Sequence, residues 1–225
     1  MKPLAIFDVD GTLVDSRKII SLSMDAAFEK EGLAAPGYDV TRTIVGLSLE
    51  VAIDRIAPRE VDADGIARIT QHYKDAFIEF RKHPETQAPL YDGVSALLDN
   101  LRAEGWEIGI ATGKSRKGLD AVIKRMKWAS LIDAHYCADD GPGKPHPFMV
   151  DANLKALSRR PEEAVVIGDT SFDMLMAQAA SVATIGVDWG FHTREELEQV
   201  PPDVVVSTMD ALADKLSDFE KAIVS

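Results

Sequence analysis

MKPLAIFDVDGTLVDS, residues 1–16, is the stretch around which this chain is organised. Its apolar run, residues 4–7, predicts a short buried strand. Asp8 ends that run and Asp10 follows two positions later, so both carboxylates would share one face if the backbone stays extended. Gly11 then permits an immediate turn. Uncompensated carboxylates at the edge of a core are costly, and a metal cation or a reacting group is the usual compensation. Taken alone, the stretch fits an ordinary polar turn after a strand at least as well, so the decision depends on the rest of the chain.

The composition is that of a globular protein, with 46% hydrophobic and 28% charged residues in a chain of 225. A net charge of −12 and a pI near 4.8 argue against nucleic acid or an anionic membrane as the main partner. The single cysteine, Cys137, excludes an intrachain disulfide and a cysteine-based zinc site. We find neither a leader-like N-terminus nor an apolar stretch of about 18 residues, so we expect a cytoplasmic protein without a membrane span.

After the first strand, the pattern up to residue 83 is helical throughout, with no convincing strand. Apolar residues recur at spacings of three and four, and Pro36-Gly37 marks a loop. Helices are predicted over residues 17–31, 48–56 and 62–82. This helical segment interrupts the main pattern, which predicts an inserted cap joined by hinges near Val14–Arg17 and His83–Pro89.

From residue 84 onward, strands and helices alternate, which is typical of a parallel sheet covered on both faces. Strands are predicted over residues 106–111, 134–138, 164–167, 182–187 and 203–206. Helices are predicted over residues 92–104 with Asp92 as the cap, 116–126, 147–158, 172–180 and 209–223. The expected fold is therefore α/β, with a Rossmann-like core of residues 1–16 and 84–225 and an all-helical cap of residues 17–83.

Polar groups follow the predicted strands at the edge where parallel sheets bind ligands. Thr112 and Gly113 open a helix and could bind a phosphate through a hydroxyl and backbone N–H groups, although the spacing does not match a nucleotide-binding P-loop. Lys144 lies in a turn restricted by two prolines. Asp169 and Asp173 either favour a helix dipole or supply hard oxygen ligands for Mg²⁺. Together these groups suit a phosphoryl group held by Mg²⁺, lysine and backbone N–H groups.

The ordered segments DVDGT, ATGK, GKP and GDTSFD resemble the four motifs of the haloacid dehalogenase-like hydrolase superfamily, and most closely its phosphoglycolate phosphatase-like members. The resemblance implies that Asp8 is the nucleophile, and that Asp10 protonates the leaving oxygen and then activates water. It implies that Thr112, Gly113 and Lys144 bind the phosphoryl group. Mg²⁺ would be held by Asp8, Asp169 and the backbone carbonyl of Asp10. Asp173 and Thr12 would support the site.

The expected function is a Mg²⁺-dependent phosphatase for a small phosphorylated metabolite, working as a monomer or a homodimer. Arg42, Thr43 and Gly46 resemble a cap loop that contacts substrate, although Arg42 could equally be a surface charge. An acid at Asp10 argues against dehalogenation, and the absence of lysine between Lys30 and Lys74 argues against a Schiff-base mechanism.

Three alternatives stay open from the residues. A phosphomutase similar to β-phosphoglucomutase needs the same two acids, and only the fate of the aspartyl-phosphate separates it from a phosphatase. A receiver-like signalling module should carry its acceptor after a central strand and be shorter. A non-catalytic phosphate-binding module should lack at least one motif residue, whereas all are present here.

Overall fold

A single parallel sheet of six strands forms the centre of the protein in the computed structural model, which describes residues 2–224. The strands are β1 (Leu4–Phe7), β2 (Glu107–Thr112), β3 (Ala134–Cys137), β4 (Ala164–Gly168), β5 (Ala183–Val187) and β6 (Val204–Val206). Their order is β3-β2-β1-β4-β5-β6, and every neighbouring pair is parallel. Because β1 lies between β2 and β4, the chain segments that leave these three strands meet at one edge of the sheet.

Helices cover both faces of this sheet, as the alternation of elements predicts. In the core they are α5 (Val94–Ala103), α6 (Arg116–Met126), α7 (Phe148–Leu157), α8 (Ser171–Ala179), α9 (Arg194–Glu198) and α10 (Met209–Val224). Alternate residues of β1 enter different hydrophobic clusters. Ala5 and Phe7 pack into the larger cluster, and Leu4 and Ile6 pack into the one on the other face, all fully buried. This confirms the predicted α/β class with a sheet buried on both sides.

Residues 17–83, which we call the helical block, contain α1 (Arg17–Lys30), α2 (Gly37–Thr41), α3 (Leu49–Ile56) and α4 (Ala63–Phe80) and no strand. The block has its own hydrophobic cluster, which includes Phe28, Ile53 and Ile69. Phe172 from the core packs into that cluster as well. The helical block therefore sits directly against the edge of the sheet where the motif residues lie.

Three local predictions need correction. Asp92 does not cap α5: the helix starts after Gly93, which adopts a left-handed conformation at φ 86°, and no side chain caps it. The segment at Pro36-Gly37 is not only a loop, because α2 begins at Gly37. We also did not predict α9. Helices of five residues are too short for hydrophobic periodicity to reveal them.

Across residues 2–224, no helix is both long enough and apolar enough to traverse a lipid bilayer.

Candidate active site

Asp8 and Lys144 form the centre of the site. Asp8 directly follows β1, and its backbone N–H donates to the carbonyl of Ile167 at 2.9 Å, which extends the pairing with β4 by one residue. The Lys144 ammonium group lies 2.5 Å from Asp8 Oδ1 and 2.6 Å from Asp173 Oδ1. All three side chains are buried. Lys144 thus links the end of β1 to the beginning of α8.

Asp169 follows β4 and is held by two donors. The Thr12 hydroxyl donates to its Oδ1 at 2.7 Å, and the backbone N–H of Phe191 donates to its Oδ2 at 2.8 Å. Gly11 makes this approach feasible, because a Cβ there would lie 2.1 Å from Asp169 Oδ2 and the backbone has a φ of 86°. The turn after β1 is therefore shaped around the Asp169 carboxylate.

Asp173 is engaged at both of its carboxylate oxygens. Oδ1 pairs with Lys144, while Oδ2 accepts from the Thr170 hydroxyl at 2.7 Å and from the Thr170 backbone N–H at 3.1 Å. The second pair of contacts closes a capping box at the start of α8. Asp173 is thereby placed to fix the position of Lys144.

Negative charge exceeds positive charge in this buried cluster. One oxygen each of Asp8, Asp169 and Asp173 lies within 4.8 Å of the others, against the single ammonium of Lys144. Burial raises the pKa of Asp8 to about 7 although the Lys144 charge opposes it, and burial together with the charge of Asp8 raises the pKa of Asp169 well above its usual range. Hard carboxylate oxygens with excess negative charge fit a divalent cation, which would offset that charge.

The pKa of Lys144 moves in the direction that keeps it charged. Burial alone lowers it, but the carboxylates of Asp173 and Asp8 outweigh that effect and raise it. The site therefore holds a permanent cation beside the Asp8 carboxylate.

Asp10 has its charged partner outside this cluster. Its Oδ2 lies 2.6 Å from the ammonium of Lys114, and its Oδ1 is buried without a hydrogen-bond partner among the described residues. The side chain of Asp10 is thus not a member of the three-carboxylate group; the predicted metal contact through its backbone carbonyl stays a prediction.

Thr112 ends β2 and is buried, and its hydroxyl accepts from the Lys114 backbone N–H at 3.4 Å.

The helical block closes over the strand ends through backbone contacts. A Cβ at Gly113 would lie 2.5 Å from the carbonyl oxygen of Gly46 and 2.7 Å from that of Leu47. The ring centre of Phe77 in α4 lies 5.6 Å from the Lys114 ammonium. The loop that follows β2 is therefore covered by the helical block.

Arg42 and Thr43 have partners within the protein. The guanidinium of Arg42 forms two hydrogen bonds to Glu196, at 2.7 and 3.1 Å, and a third to the Phe191 carbonyl at 3.2 Å. Thr43 donates its hydroxyl to the carbonyl of Val40. Substrate binding by these two residues stays a prediction, and for Arg42 it would require displacement of Glu196.

Sequence reasoning missed three participants: Lys114, Glu196 and the Phe191 backbone. Lys114 lies inside the ATGK segment, but the sequence alone indicated no role for it. Thr193 and Glu196 have the spacing of a capping box, which the structure shows, and which could have revealed α9. Nothing in the sequence pairs Glu196 with Arg42, 154 positions earlier.

The chain belongs to the haloacid dehalogenase-like hydrolase family, whose model matches residues 5–187. It is 34% identical over 212 residues to a Dickeya dadantii protein named "Probable phosphatase IndB", covering 92% of this chain and 90% of that one. It is 31% identical to the phosphoglycolate phosphatase of Yersinia pseudotuberculosis, over 89% of this chain and 87% of the relative. A haloacid dehalogenase-like hydrolase from Bacteroides fragilis superposes with a TM-score of 0.85 at 26% identity, covering 94% and 100% of the two chains. The expected family is thus confirmed.

Proposed function

We propose that this protein is a Mg²⁺-dependent phosphatase that hydrolyses a small phosphomonoester through an aspartyl-phosphate on Asp8. The observation that carries the proposal is the buried contact of Asp8 with Lys144 beside Asp169 at the strand ends. A carboxylate can attack a phosphoryl group only where charge repulsion is offset, and this cluster provides for that on an acidic protein. Relatives named as phosphatases support the same reaction class.

Asp8 and Asp169 would hold the metal, with the backbone carbonyl of Asp10. When bound, Mg²⁺ supplies positive charge against the phosphoryl oxygens. Asp173 is better suited to support than to ligation, because Lys144 and Thr170 already occupy its two oxygens. Thr12 fixes the orientation of the Asp169 carboxylate.

The chain's own residues would then perform two displacements. An oxygen of Asp8 attacks phosphorus, the bond to the ester oxygen breaks, and Asp10 gives its proton to that oxygen. Asp10 next takes a proton from a water molecule that attacks the same phosphorus, the Asp8–phosphorus bond breaks, and inorganic phosphate leaves. Thr112, the Gly113 N–H and Lys144 hold the phosphoryl oxygens throughout.

The helical block, residues 17–83, would act as the cap, and residues 1–16 with 84–225 as the catalytic core. Its contacts with Gly113 and Lys114 support a role in closing the site against water. The proposal includes a small phosphorylated metabolite, of phosphoglycolate or sugar-phosphate type, as the substrate. It also places the protein in the cytoplasm as a monomer or homodimer.

The test is phosphate release from phosphoglycolate, β-glucose 1-phosphate, other sugar phosphates and nucleotides, with and without Mg²⁺. Asp8→Asn should reduce turnover at least ~10³-fold, because a carboxamide cannot replace the nucleophile. Asp99→Asn, an exposed change on α5, is the matched control and should leave turnover unchanged. Failure of the folded wild-type protein to release phosphate from any compound would overturn the proposal, and conversion of β-glucose 1-phosphate to its isomer would favour a mutase.

A further inference from the structure

The ion pair between Lys114 and Asp10 joins two of the four motif segments, and Lys114 has no role in the function proposed above. The two side chains are 10% and 12% exposed, and the ammonium lies 2.6 Å from Asp10 Oδ2. At this distance the two opposite charges attract each other strongly in a largely buried setting, which restricts how the Asp10 carboxylate can turn. Asp10 is also the residue to which the proposed function gives the proton transfers.

This contact distinguishes the two oxygens of Asp10. Oδ2 forms the ion pair with Lys114, whereas Oδ1 is buried with no hydrogen-bond partner in the described part of the chain. A buried carboxylate oxygen without a donor is costly unless a ligand supplies the missing contact. The arrangement therefore leaves Oδ1 as the oxygen that can exchange a proton with a bound substrate.

Lys114 is itself held from two sides. Its backbone carbonyl accepts from Ala138 N–H at 3.1 Å, which ties the loop after β2 to the end of β3. Above it, the ring of Phe77 in the helical block faces the ammonium at 5.6 Å, a distance typical of a cation–π contact. The position of the ammonium thus depends on both the core and the helical block.

We propose that Lys114 is a positioning residue: it holds Asp10 through Oδ2 so that Oδ1 is aligned to exchange the proton with the leaving-group oxygen. The inference rests on the proposed function. Its consequence is selective in the first displacement, because only substrates whose leaving oxygen needs a proton depend on this alignment there. The second displacement, in which Asp10 activates water, is common to all substrates. Positioned acid–base catalysis contributes about 10²–10⁴-fold, so much of that factor should depend on Lys114.

The test compares two substrates of nearly equal size. Ethyl phosphate loses an alkoxide, which needs a proton, whereas acetyl phosphate loses acetate, which does not. In the Mg²⁺-loaded protein, Lys114→Met should lower kcat/KM for ethyl phosphate at least ~10-fold while lowering that for acetyl phosphate less than ~3-fold. We compare kcat/KM because it reports the steps up to release of the leaving group and leaves out the shared hydrolysis of the aspartyl-phosphate. Lys114→Arg should restore most of the ethyl phosphate rate, since it returns a cation to the same place.

Lys117→Met is the matched control, because it removes an exposed lysine one residue after the start of α6 and should leave both rates unchanged. An equal fall in kcat/KM for both substrates in Lys114→Met would assign Lys114 to phosphate binding and overturn the inference. Unchanged rates for both would overturn it as well. Wild-type protein that hydrolyses neither substrate nor any compound of the larger panel would instead refute the proposed function.

Discussion

The strand-end cluster and the contacts of the helical block lie side by side but are built differently. The strand-end cluster consists of Asp8, Lys144, Asp169 and Asp173, which are fully or almost fully buried and bonded to one another or to neighbouring backbone. The helical block approaches through half-exposed side chains and backbone carbonyls, such as the Arg42–Glu196 pair and the close approach of Gly46 to Gly113.

The two regions differ in how easily their charged contacts can rearrange. Buried and mutually bonded charges cannot rearrange cheaply, because each loses a partner in an interior that does not solvate it. A half-exposed ion pair can break and be solvated at little cost. The strand-end cluster is therefore suited to fixed chemistry, and the helical block to opening and closing.

Removal of Lys144 should have the largest effect on stability. Lys144→Met leaves Asp8 and Asp173 buried without their cation, so we expect the free energy of unfolding to fall by about 3 kcal/mol or more. Arg42→Met breaks an ion pair whose side chains are 22% and 29% exposed, and it should cost less than about 1 kcal/mol. Urea unfolding of both variants measures the two losses in the free energy of unfolding. Equal losses would contradict the difference between the strand-end cluster and the contacts of the helical block.

The second prediction concerns pH and metal. Asp8 has a pKa of about 7 in the folded protein against 3.8 ordinarily, so between these values the folded protein holds a proton that the unfolded chain has lost. Its contribution to stability therefore falls as pH rises from about 4 to about 7. Mg²⁺ binds the charged carboxylates, so the stabilisation that it adds should grow over the same range.

Thermal unfolding in EDTA and in Mg²⁺, from about pH 5 to pH 8, measures both trends. Asp8→Asn should show a flatter curve in EDTA than the wild type, because it lacks the titrating group. A stabilisation by Mg²⁺ that stays constant with pH would contradict the assignment of the metal to this cluster.

The smallest effect on stability should come from the contact between the block and the core. Gly113→Ala keeps the backbone N–H but places a Cβ 2.5 Å from the Gly46 carbonyl, so the loop of the helical block must move. We expect KM to rise by about tenfold while the free energy of unfolding changes by less than about 1 kcal/mol, since the displaced contact joins a loop of the helical block to the loop after β2. Steady-state kinetics measures KM, and urea unfolding measures the free energy of unfolding.

Gly118→Ala is the control within the same segment. Its Cβ would lie 3.3 Å from the Ser115 hydroxyl, a side chain that can shift, and alanine favours the helix. This variant should keep the wild-type KM. A similar rise in KM for both variants would show that the close approach at Gly113 does not control closure.

Much of the strand-end cluster was predictable because Asp8 and Asp169 directly follow strands, Lys144 lies in a tight turn and Asp173 lies in the first turn of the helix after β4. Asp8 and Asp169 come after short apolar runs, so parallel order alone brings them to one edge. The contacts of the helical block were not predictable in this way. The contacts of Arg42 with Glu196 and of Lys114 with Phe77 depend on how the helical block meets the rest of the protein, and no local pattern encodes that placement.

The other predictions that failed concern the start of α5 and the two five-residue helices. Asp92 matched the preferred residue types for a helix cap, yet Gly93 precedes α5 because its left-handed backbone sets the entry of the chain. The five-residue helices α2 and α9 lack the length for periodicity, and the Thr193–Glu196 capping box was the only local signal for α9.

The central claim is that Asp8 accepts the phosphoryl group, and trapping that group tests it most directly. The Mg²⁺-loaded protein would be mixed with acetyl phosphate or its best substrate, quenched in acid within milliseconds, reduced with borohydride, and its peptides sequenced by mass spectrometry. The account predicts conversion of Asp8 to homoserine in the wild type and none in Asp8→Asn. Reduction at another carboxylate, or none during measured turnover, would contradict it.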